Sequence, residues 1–483
     1  MKSIVEQIFH HASSNGEKIA LTDGKASLTY AELVSSTLHA RELLSDKYGV
    51  SAGDRVILAA DKQVEFAPAY LACHLLGATT LPIAPDTNPN RYDLIKSKST
   101  PSLVIGFSEQ DSSTRKAELN EFRGSVSALH NDSFSFPILD DIADIIFTTG
   151  TTGEPKGVQL SQRNIAAAAR NINSFIANSE DDVEMLALPI SHSFGLGRMR
   201  CALSNGQTLV LQGGFANVKR FFRFIEDYGV NGFGMVPASW ALLKRLSGNK
   251  IGEYADQIHY IEIGSAPMPL EEKETLIELL PHTRICMHYG LTEASRSSFI
   301  EFHSEQSHLD TVGKPTPGMN ITIRDEQGAV LQAGARGEIC VSGDAVTVGY
   351  LGIANESSFW GDSFRTGDCG YATDNGYITL VGREKEMINV GGKKVSPIEV
   401  ENVLQEFDFV EDCVCISAPD PSGILGEVVK ACIVTNDPSK IDKSSIDAMI
   451  GSRLEEYKHP MIYQLIDEVP KTSSGKIQRL SLA

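Results

Sequence analysis

The segment Phe147–Gly157, "FTTGTTGEPKG", contains four threonines, three glycines, one proline and one lysine. It directly follows the apolar run 145–147, which predicts the end of a buried strand. Glycine and threonine offer backbone N–H groups and hydroxyls without bulky side chains, and Lys156 adds one positive charge. The composition fits either a mobile surface loop or a backbone cradle for phosphate. It is not a Walker motif, because Gly150 is not followed at the required spacing by Gly-Lys-Ser/Thr.

The flanks of this segment favour the phosphate cradle. Ser161 is placed to cap a helix that begins just beyond the loop. In open α/β sheets, ligands bind outside the carboxyl ends of the strands. A glycine–threonine loop that leaves a strand and precedes a helix is therefore well placed to hold a polyphosphate.

Strand and helix signals alternate from the N-terminus to about residue 300. A helix is predicted over 28–45, with Thr29 as N-cap and Glu32 completing a capping box, and another over 66–76. Short apolar runs followed by glycine- or serine-rich loops predict strands at 54–60, 184–190, 258–264 and 284–290. This alternation favours an α/β fold with largely parallel sheets.

The sequence pattern changes after about residue 310. Apolar and polar residues alternate around the turns Asp-Glu-Gln-Gly and Asp-Asn-Gly, which predicts hairpins and a β-rich subdomain. Beyond the charged stretch 383–386, the segments "DCVCISAPD" and "EVVKACIVTND" predict two strands, and "SSIDAMIGSRLEEY" predicts a helix. These elements indicate a small α+β domain at the C-terminal end.

The bulk composition excludes several classes of protein. The chain has 483 residues, with 43 Lys and Arg against 62 Asp and Glu, a net charge of −19. So acidic a chain is a poor partner for nucleic acid, which needs a basic face. We find no signal peptide and no membrane-spanning apolar run. The eight cysteines form no Cys-x-x-Cys pair, which favours free thiols and a cytoplasmic protein without structural zinc.

The loop is one of a series of motifs that together resemble the adenylate-forming superfamily. This superfamily contains acyl-CoA synthetases, the adenylation domains of peptide synthetases and firefly luciferase. The motifs occur in the family's order between residues 147 and 479: "FTTGTTGEPKGVQLSQRN", "LPISHSFGLG", "HYGLTEAS", "FRTGD", "GREKEMINVGGKKVSPIEVE" and "PKTSSGKIQR". The chain most resembles an acyl-CoA synthetase.

The resemblance implies a fold and a division into domains. We expect an α/β protein whose large N-terminal domain, residues 1–382, contains two parallel-rich β/α sheet subdomains and a β-rich subdomain. A hinge at residues 383–386, centred on Lys385, would lead to a small mobile α+β domain at 387–483. That domain would bring Lys476 to the reaction as the catalytic lysine.

The resemblance also implies the nucleotide site. Thr292 would contact the α-phosphate, Lys156 and Lys476 would neutralise phosphate charge, and Glu293 with Thr152 would bind Mg²⁺. These residues, with Asp368 and Arg383 at the ribose, imply ATP and Mg²⁺ as cofactors. The complete nucleotide-binding set would be Thr148, Thr149, Gly150, Thr151, Thr152, Gly153, Lys156, Gly264, Ser265, Ala266, His288, Tyr289, Gly290, Thr292, Asp368, Arg383 and Lys476.

The acyl and thiol sites follow from the same resemblance. The acyl substrate would meet His192, Phe194, Gly195 and Arg296. One of Arg198, Arg200 and Arg296 could pair with a second carboxylate of the acid, or the three could serve other roles. The pantetheine arm of coenzyme A would pass Gly391, Gly392 and Lys393.

The predicted activity is ATP-dependent ligation of a small carboxylic acid to coenzyme A through an acyl-AMP. The alternative acceptor is the phosphopantetheine arm of an acyl carrier protein. An α-amino acid is disfavoured because residues 191–194 contain no acid to pair with an ammonium group. An inactive nucleotide-binding homologue is disfavoured because Lys156, Glu293 and Lys476 are all present. Luciferase-like oxygenation shares the motifs and would need an unusual substrate.

Overall fold

The computed structural model describes residues 1–107, 114–126, 134–148, 155–441, 443–451, 453–471 and 477–482, with the side chains of 384, 444, 445, 448 and 480 left out. The chain divides into two compact units. The first comprises Met1–Ile321 and Val341–Phe364, and the second comprises Thr322–Cys340 and Arg365–Ala483. The predicted hinge at 383–386 stays a prediction.

The helices of the described part are short to medium in length. They are α1 (Ile4–Asn15), α2 (Tyr30–Glu42), α3 (Phe66–Leu75), α4 (Pro89–Ser99), α5 (Gln162–Ile176), α6 (Ser193–Ser204), α7 (Val218–Tyr228), α8 (Pro237–Ser247), α9 (Leu270–Leu279), α10 (Pro397–Leu404) and α11 (Lys443–Ile450).

The strands vary from two to ten residues. They are β1 (Ile19–Thr22), β2 (Ser27–Thr29), β3 (Arg55–Ala59), β4 (Thr79–Ile83), β5 (Leu103–Ile105), β6 (Arg115–Ala117), β7 (Ile142–Thr148), β8 (Lys156–Ser161), β9 (Val183–Leu186), β10 (Thr208–Leu211), β11 (Gly232–Met235), β12 (Tyr260–Ile263), β13 (Arg284–Tyr289), β14 (Ser298–Glu301), β15 (Lys314–Pro315), β16 (Met319–Arg324), β17 (Gly337–Gly343), β18 (Gly349–Tyr350), β19 (Phe359–Trp360), β20 (Ser363–Ala372), β21 (Ile378–Arg383), β22 (Ile388–Val390), β23 (Lys393–Val395), β24 (Val410–Pro419), β25 (Glu427–Thr435) and β26 (Ile462–Leu465).

Two parallel-rich sheets form the first unit, as predicted. One sheet has the order β15-β14-β13-β12-β11-β9-β10-β1-β2 and is parallel from β13 to β1. The other has the order β18-β8-β7-β4-β3-β5-β6 and is parallel from β7 to β6. Strands covered on both faces read as continuous apolar runs, which explains why β3 was visible in the sequence. β12 is fully buried as well, although Glu262 interrupts its apolar run.

The predicted helix starts are confirmed by the caps. Thr29 and Glu32 form the complete capping box of α2, and Ser161 accepts a hydrogen bond from the Asn164 N–H at the start of α5. The predicted helix over 28–45 begins two residues later and continues past α2 as a π-helical turn, Leu43–Lys47.

The glycine–threonine loop joins two antiparallel strands, and one of them was missed. β8 pairs with β7 and ends at the cap of α5. Its alternating pattern places Val158 and Leu160 in the core, but six residues of mixed polarity give a weak period-two signal beside a glycine-rich loop. The described ends of the loop, Thr148 and Lys156, are therefore paired strand residues, and β8 leads to the helix.

The C-terminal half is β-rich, as expected. β16, β17, β19, β20 and β21 belong to one five-stranded sheet, and β20–β21 is the predicted hairpin around Asp-Asn-Gly. The two predicted strands of the small domain are β24 and β25, which pair antiparallel, with β26 parallel to β25. The predicted helix over "SSIDAMIGSRLEEY" was too long, because α11 ends at Ile450 and Gly451 follows it.

Among the helices of the described ranges, none combines the length and the apolar character needed to cross a bilayer.

Candidate active site

Thr148 and Lys156 lie opposite each other at the mouth of the predicted phosphate loop. Thr148 is the last residue of β7 and pairs with Lys156, the first residue of β8. Thr149, Gly150, Thr151, Thr152 and Gly153 lie outside the described residues. The hairpin therefore places the predicted phosphate lysine directly at the carboxyl end of a central strand.

Tyr350 brings the predicted lysine and the predicted metal ligand together. Its hydroxyl donates a hydrogen bond to Glu293 Oε1 at 2.7 Å. Lys156 Nζ lies 5.1 Å from the centroid of the Tyr350 ring, within cation–π range. Glu293 is held on its backbone side as well, because the Thr347 N–H donates to its carbonyl at 2.7 Å. No sequence motif predicted Tyr350, which lies on β18, a strand of only two residues that pairs with β8.

Glu293 fits the role of an Mg²⁺ ligand. Its carboxylate supplies hard oxygen atoms, which Mg²⁺ prefers, and the hydrogen bond from the Tyr350 hydroxyl fixes the orientation of that carboxylate. Thr152, the other predicted ligand, lies outside the described residues.

The predicted α-phosphate residue touches the predicted acyl-side motif. Thr292 Oγ1 lies 3.2 Å from Ser193 Oγ, the residue between His192 and Phe194. His192 is the N-cap of α6, and its side chain is exposed. Gly195 is required here, because a Cβ at this position would approach Pro189 O to 2.2 Å. Three predicted residues of the acyl side thus sit at one helix start, adjacent to Thr292.

The predicted adenine-side residues also converge. Gly264 and Ser265 follow β12, and His288 and Tyr289 end the neighbouring strand β13. A Cβ on Gly264 would lie 2.1 Å from the His288 ring, so this ring packs directly on bare backbone. Ser265 has φ +74, a left-handed conformation uncommon outside glycine, and Ala266 follows it.

Gly290 permits the tight turn that carries Thr292 and Glu293. A Cβ on Gly290 would lie 2.6 Å from the Arg296 backbone nitrogen. The Leu291 and Ala294 backbones bond to each other across this turn. The turn therefore fixes the positions of Thr292 and Glu293 relative to β13.

A buried group of charges, which we call the Glu262 cluster, lies beside both sets of residues. Glu262 Oε1 accepts from Arg296 Nε at 2.8 Å and lies 2.7 Å from His288 Nδ1, and Oε2 accepts from Arg198 Nη1 at 3.1 Å. Glu184 binds the other edge of Arg198 through two hydrogen bonds. The cluster consists of Glu184, Arg198, Glu262, His288 and Arg296.

Burial and pairing set the charges of this cluster. Burial raises the pKa of Glu262, but the facing Arg296, His288 and Arg198 outweigh it and hold that pKa well below its usual range. Burial lowers the pKa of His288 in spite of Glu262. The cluster therefore holds ionised Glu262 beside a predominantly neutral imidazole at neutral pH.

The three arginines near the acyl motif have partners inside the protein. Arg198 is fully buried on Glu184 and Glu262. Arg200 bonds to Asp144 and to the Tyr70 hydroxyl. Arg198 and Arg200 are thus engaged by internal groups, which argues against their use for a second substrate carboxylate.

The predicted ribose residues face each other in the second unit. Asp368 and Arg383 are register partners across the β20–β21 hairpin, and Arg383 Nε lies 3.1 Å from Asp368 Oδ1. Asp368 is 3% exposed, and its N–H donates to Thr366 Oγ1. An aspartate held in this way offers oriented oxygens to a diol, and its role at a ribose stays a prediction.

The predicted thiol residues form a separate hairpin of the second unit. Gly391 and Gly392 turn between β22 and β23 with φ +57 and +85, which favours glycine at both positions. Lys393 Nζ lies 4.4 Å from the centroid of the Tyr457 ring. Lys385 lies in the short 3₁₀ helix 384–386. Their roles in thiol access and hinge motion stay predictions.

Arg479 fixes the chain just after Lys476, which itself lies outside the described residues. Arg479 Nε donates to Glu386 Oε2 at 2.9 Å, and its Nη atoms bind the Glu401 carboxylate. Burial lowers the pKa of Arg479, but Glu401 and Glu386 outweigh it and raise that pKa. The motif "PKTSSGKIQR" thus contains an anchor, Arg479, that sequence reasoning missed.

Two family models match the chain. One, described as AMP-binding enzyme, matches residues 8–351. The other, described as AMP-binding enzyme C-terminal domain, matches residues 399–476. Each compact unit thus contains residues that a family model matches.

Curated relatives and solved structures agree with these matches. An oxalate–CoA ligase from Arabidopsis thaliana is 30% identical over 95% of this chain and 94% of its own length. A 2-succinylbenzoate–CoA ligase from Bacillus licheniformis is 28% identical over 96% of each chain. An o-succinylbenzoate CoA synthetase from Bacillus subtilis, solved with the acyl-adenylate intermediate, is 26% identical with a TM-score of 0.87 over 99% of this chain and 97% of that one. The same synthetase with ATP and a magnesium ion gives a TM-score of 0.86 at 26% identity, over 99% and 98%.

Proposed function

The chain belongs to the AMP-binding enzyme family, and we propose that it is an acid–CoA ligase. It activates a carboxylic acid as an acyl-AMP at the expense of ATP and transfers the acyl group to the thiol of coenzyme A. The curated relatives, which ligate oxalate or 2-succinylbenzoate to coenzyme A by their names, support this acceptor over a carrier protein.

The observation that carries the proposal is the contact between Thr292 and Ser193. Adenylation must bring an acid and an α-phosphate within bonding distance. The hydroxyl of the predicted α-phosphate residue lies 3.2 Å from a hydroxyl of the acyl-side motif, although 99 residues separate them. The two loops that would hold the two reactants therefore meet at one point.

The first reaction joins the acid to ATP. A carboxylate oxygen attacks the α-phosphorus, the bond to the bridging oxygen of the β-phosphate breaks, and pyrophosphate leaves. Thr292 would donate to the α-phosphate, while Lys156 would neutralise the departing phosphates. Mg²⁺ held by Glu293 would supply charge neutralisation on the phosphate oxygens. Lys476 would bridge the carboxylate and the α-phosphate.

The second reaction moves the acyl group to sulfur. The thiol of coenzyme A loses its proton and attacks the acyl carbon, and AMP leaves with the electron pair of the broken carbon–oxygen bond. The bare backbone at Gly391 and Gly392 would let the pantetheine arm approach closely. Arg479 would hold the segment that adjoins Lys476 at Glu386, the last residue of the predicted hinge.

The two reactions are tested separately with the full-length protein. Acid-dependent exchange of labelled pyrophosphate into ATP across a broad acid panel measures the first reaction. Formation of the acyl thioester with coenzyme A, compared with a phosphopantetheinylated carrier protein, measures the second. We expect exchange with at least one acid and thioester on coenzyme A. Exchange with no acid would contradict adenylation, and thioester on carrier protein alone would contradict the acceptor.

A matched pair of variants tests the contact between Thr292 and Ser193. Thr292→Val removes the Thr292 hydroxyl, which lies next to Ser193 Oγ. The rate of pyrophosphate exchange should fall about 100-fold, the typical effect of losing a hydrogen-bond donor to a developing charge. Thr275→Val removes a hydroxyl from α9, where it bonds only within the helix, and should leave exchange within twofold. Equal rates in the two variants would refute the role of Thr292.

A further inference from the structure

We propose that Glu262 sets the acid selectivity of the enzyme by neutralising Arg296 beside the acyl-side motif. The enzyme then prefers acids whose acyl part is uncharged over acids with a second carboxylate. This inference rests on the proposed function, and it assigns Glu262 as a selectivity-determining residue that contacts the acyl side through Arg296.

Arg296 lies against the acyl-side motif. Its Nη1 donates to Ser193 O at 3.3 Å, and its Nη2 donates to Phe194 O at 3.1 Å. Its guanidinium carbon lies 4.7 Å from the centroid of the Phe194 ring. A Cβ on Gly197 would lie 2.6 Å from Nη1, so α6 leaves room for this side chain only because residue 197 is glycine. The guanidinium is thus hydrogen-bonded to the backbone of the motif.

The backbone at Arg296 is also specialised. Its φ is +52, a left-handed conformation that an arginine adopts only when its surroundings hold it. The Thr316 hydroxyl donates to its carbonyl at 2.6 Å. The side chain is therefore aimed at Ser193 and Phe194 by a constrained turn.

The charges around Arg296 cancel within the protein. Two carboxylates, Glu184 and Glu262, face two guanidinium groups, Arg198 and Arg296. His288 adds no full charge at neutral pH, because burial lowers its pKa. All of these side chains are at most 7% exposed, so water screens them weakly. Arg296 therefore presents a donor but no net attraction for an anion.

A second carboxylate on the acid would lose its hydration beside Arg296 and gain no free counter-charge, because Glu262 already neutralises that guanidinium. This uncompensated desolvation corresponds to a loss of about 10- to 100-fold in affinity. The carboxylate would also have to displace the hydrogen bonds from Arg296 to Ser193 O and Phe194 O. An uncharged acyl group meets neither cost.

The test compares matched acids in wild type and in Glu262→Gln. The pairs are butanoate with butanedioate, and a 3-arylpropenoate with the same acid bearing a ring carboxylate. The measured quantity is the ratio of kcat/KM for pyrophosphate exchange, uncharged acid over dicarboxylic acid. We expect a ratio of at least about 10 in wild type and a fall of at least about tenfold in Glu262→Gln, whose Arg296 keeps an uncompensated charge.

Two further variants serve as controls for the change in the selectivity ratio. Glu226→Gln removes an exposed acid that bonds to Tyr254, away from the cluster, and should leave the ratio unchanged. Arg296→Gln should lower the efficiency for both acids of a pair and should favour the uncharged acid further, because Glu262 then loses a counter-charge. A wild-type preference for the dicarboxylic acid that Arg296→Gln abolishes would overturn the inference. So would an unchanged ratio in Glu262→Gln that retains the wild-type KM for ATP.

A binding measurement separates this inference from the proposed function. Acyl-sulfamoyladenosines of the same acids mimic the acyl-AMP without reacting, and calorimetry gives their Kd values. A tenfold smaller preference for the uncharged analogue in Glu262→Gln supports the inference even if exchange fails with every acid, which would contradict the proposed function alone. Equal Kd ratios in wild type and Glu262→Gln would overturn the inference while exchange still supported adenylation.

Discussion

Arg198 and Arg200 lie two residues apart on α6, and they enter two different buried charge groups. Arg198 joins the Glu262 cluster, between strands of the nine-stranded sheet. Arg200 joins Asp144 on β7 of the seven-stranded sheet, a group we call the Asp144 cluster. It contains Asp144, Arg200, Tyr70, His74 and Thr80.

The two clusters have the same chemistry but contact different parts of the protein. Both pair a buried guanidinium with a buried carboxylate, and both have aromatic hydroxyls as additional partners. The Asp144 cluster joins α6 to α3, β4 and β7, and of its members only Arg200 was a sequence candidate for the acyl site. The Glu262 cluster ends at Ser193, Phe194 and Gly264. Burial and charge alone therefore do not identify a functional group of residues. What distinguishes the Glu262 cluster is its contact with residues of the predicted site.

The largest effect on stability is expected from breaking the Asp144 cluster. Arg200→Met leaves Asp144 buried without its guanidinium and should lower the free energy of unfolding by about 3–5 kcal/mol. Urea denaturation followed by fluorescence measures this loss. The kcat/KM of the folded fraction in pyrophosphate exchange should stay within about threefold of wild type.

A double variant provides the control for that prediction. Asp144→Asn with Arg200→Met removes both charges, and most of the lost stability should return, because no unpaired charge remains. A double variant as unstable as Arg200→Met would show that packing rather than charge holds this region together. A loss of activity equal to that of a site variant would erase the distinction between the two clusters.

A smaller loss of stability and a larger loss of activity are expected in the Glu262 cluster. Arg296→Gln removes charged hydrogen bonds to Glu262, Ser193 O and Phe194 O, and kcat/KM for exchange should fall about 100-fold, or about 2.7 kcal/mol. Arg296→Lys keeps the charge and should recover part of this activity. Wild-type KM for the acid in Arg296→Gln would contradict a role at the acyl side.

Acid pH should act on both clusters in the same direction. Burial opposes ionisation of Asp144, but Arg200 and His74 outweigh it and lower its pKa from 3.8 to about 2. The folded-state pKa lies below the unfolded one, so this stabilisation is complete above about pH 4 and is lost as the pH falls towards 2. The contribution is about 2 kcal/mol.

Denaturation at several pH values measures this contribution. The Asp144→Asn, Arg200→Met double variant should lose less stability than wild type between pH 4 and pH 2. Parallel acid profiles for the two proteins would show that Asp144 does not contribute to the pH dependence.

The smallest effect is expected at Tyr350, which orients Glu293 from outside both clusters. Tyr350→Phe removes the hydrogen bond to Glu293 Oε1 and keeps the ring under Lys156. The Mg²⁺ concentration for half-maximal exchange should rise about tenfold, or about 1.4 kcal/mol, as for other residues that hydrogen-bond to a metal ligand. Tyr371→Phe, on β20 of the second unit, is the matched control. An unchanged Mg²⁺ requirement in Tyr350→Phe would contradict the orienting role.

The sequence was most informative where a function depends on neighbouring residues. The motif around Thr292 and Glu293, the capping box at Thr29 and the Ser161 cap all depend on short spacings, and the caps are confirmed. β8 was missed because its period-two pattern is short and follows a glycine-rich loop. Its length alone does not distinguish it from an extended loop.

The sequence by itself determined the family, the order of the motifs and the alternation of strands and helices. Only the tertiary structure decided which charges are paired. On a helix, residues two apart point about 200° apart, so Arg198 and Arg200 must face different neighbours. Which neighbours they meet depends on strand order, which places Glu184 on β9 and Glu262 on β12 within reach of one and Asp144 on β7 within reach of the other. Arg296 is paired with Glu262 for the same reason. Which side chains meet depends on how the chain is folded and not on their distance along the sequence.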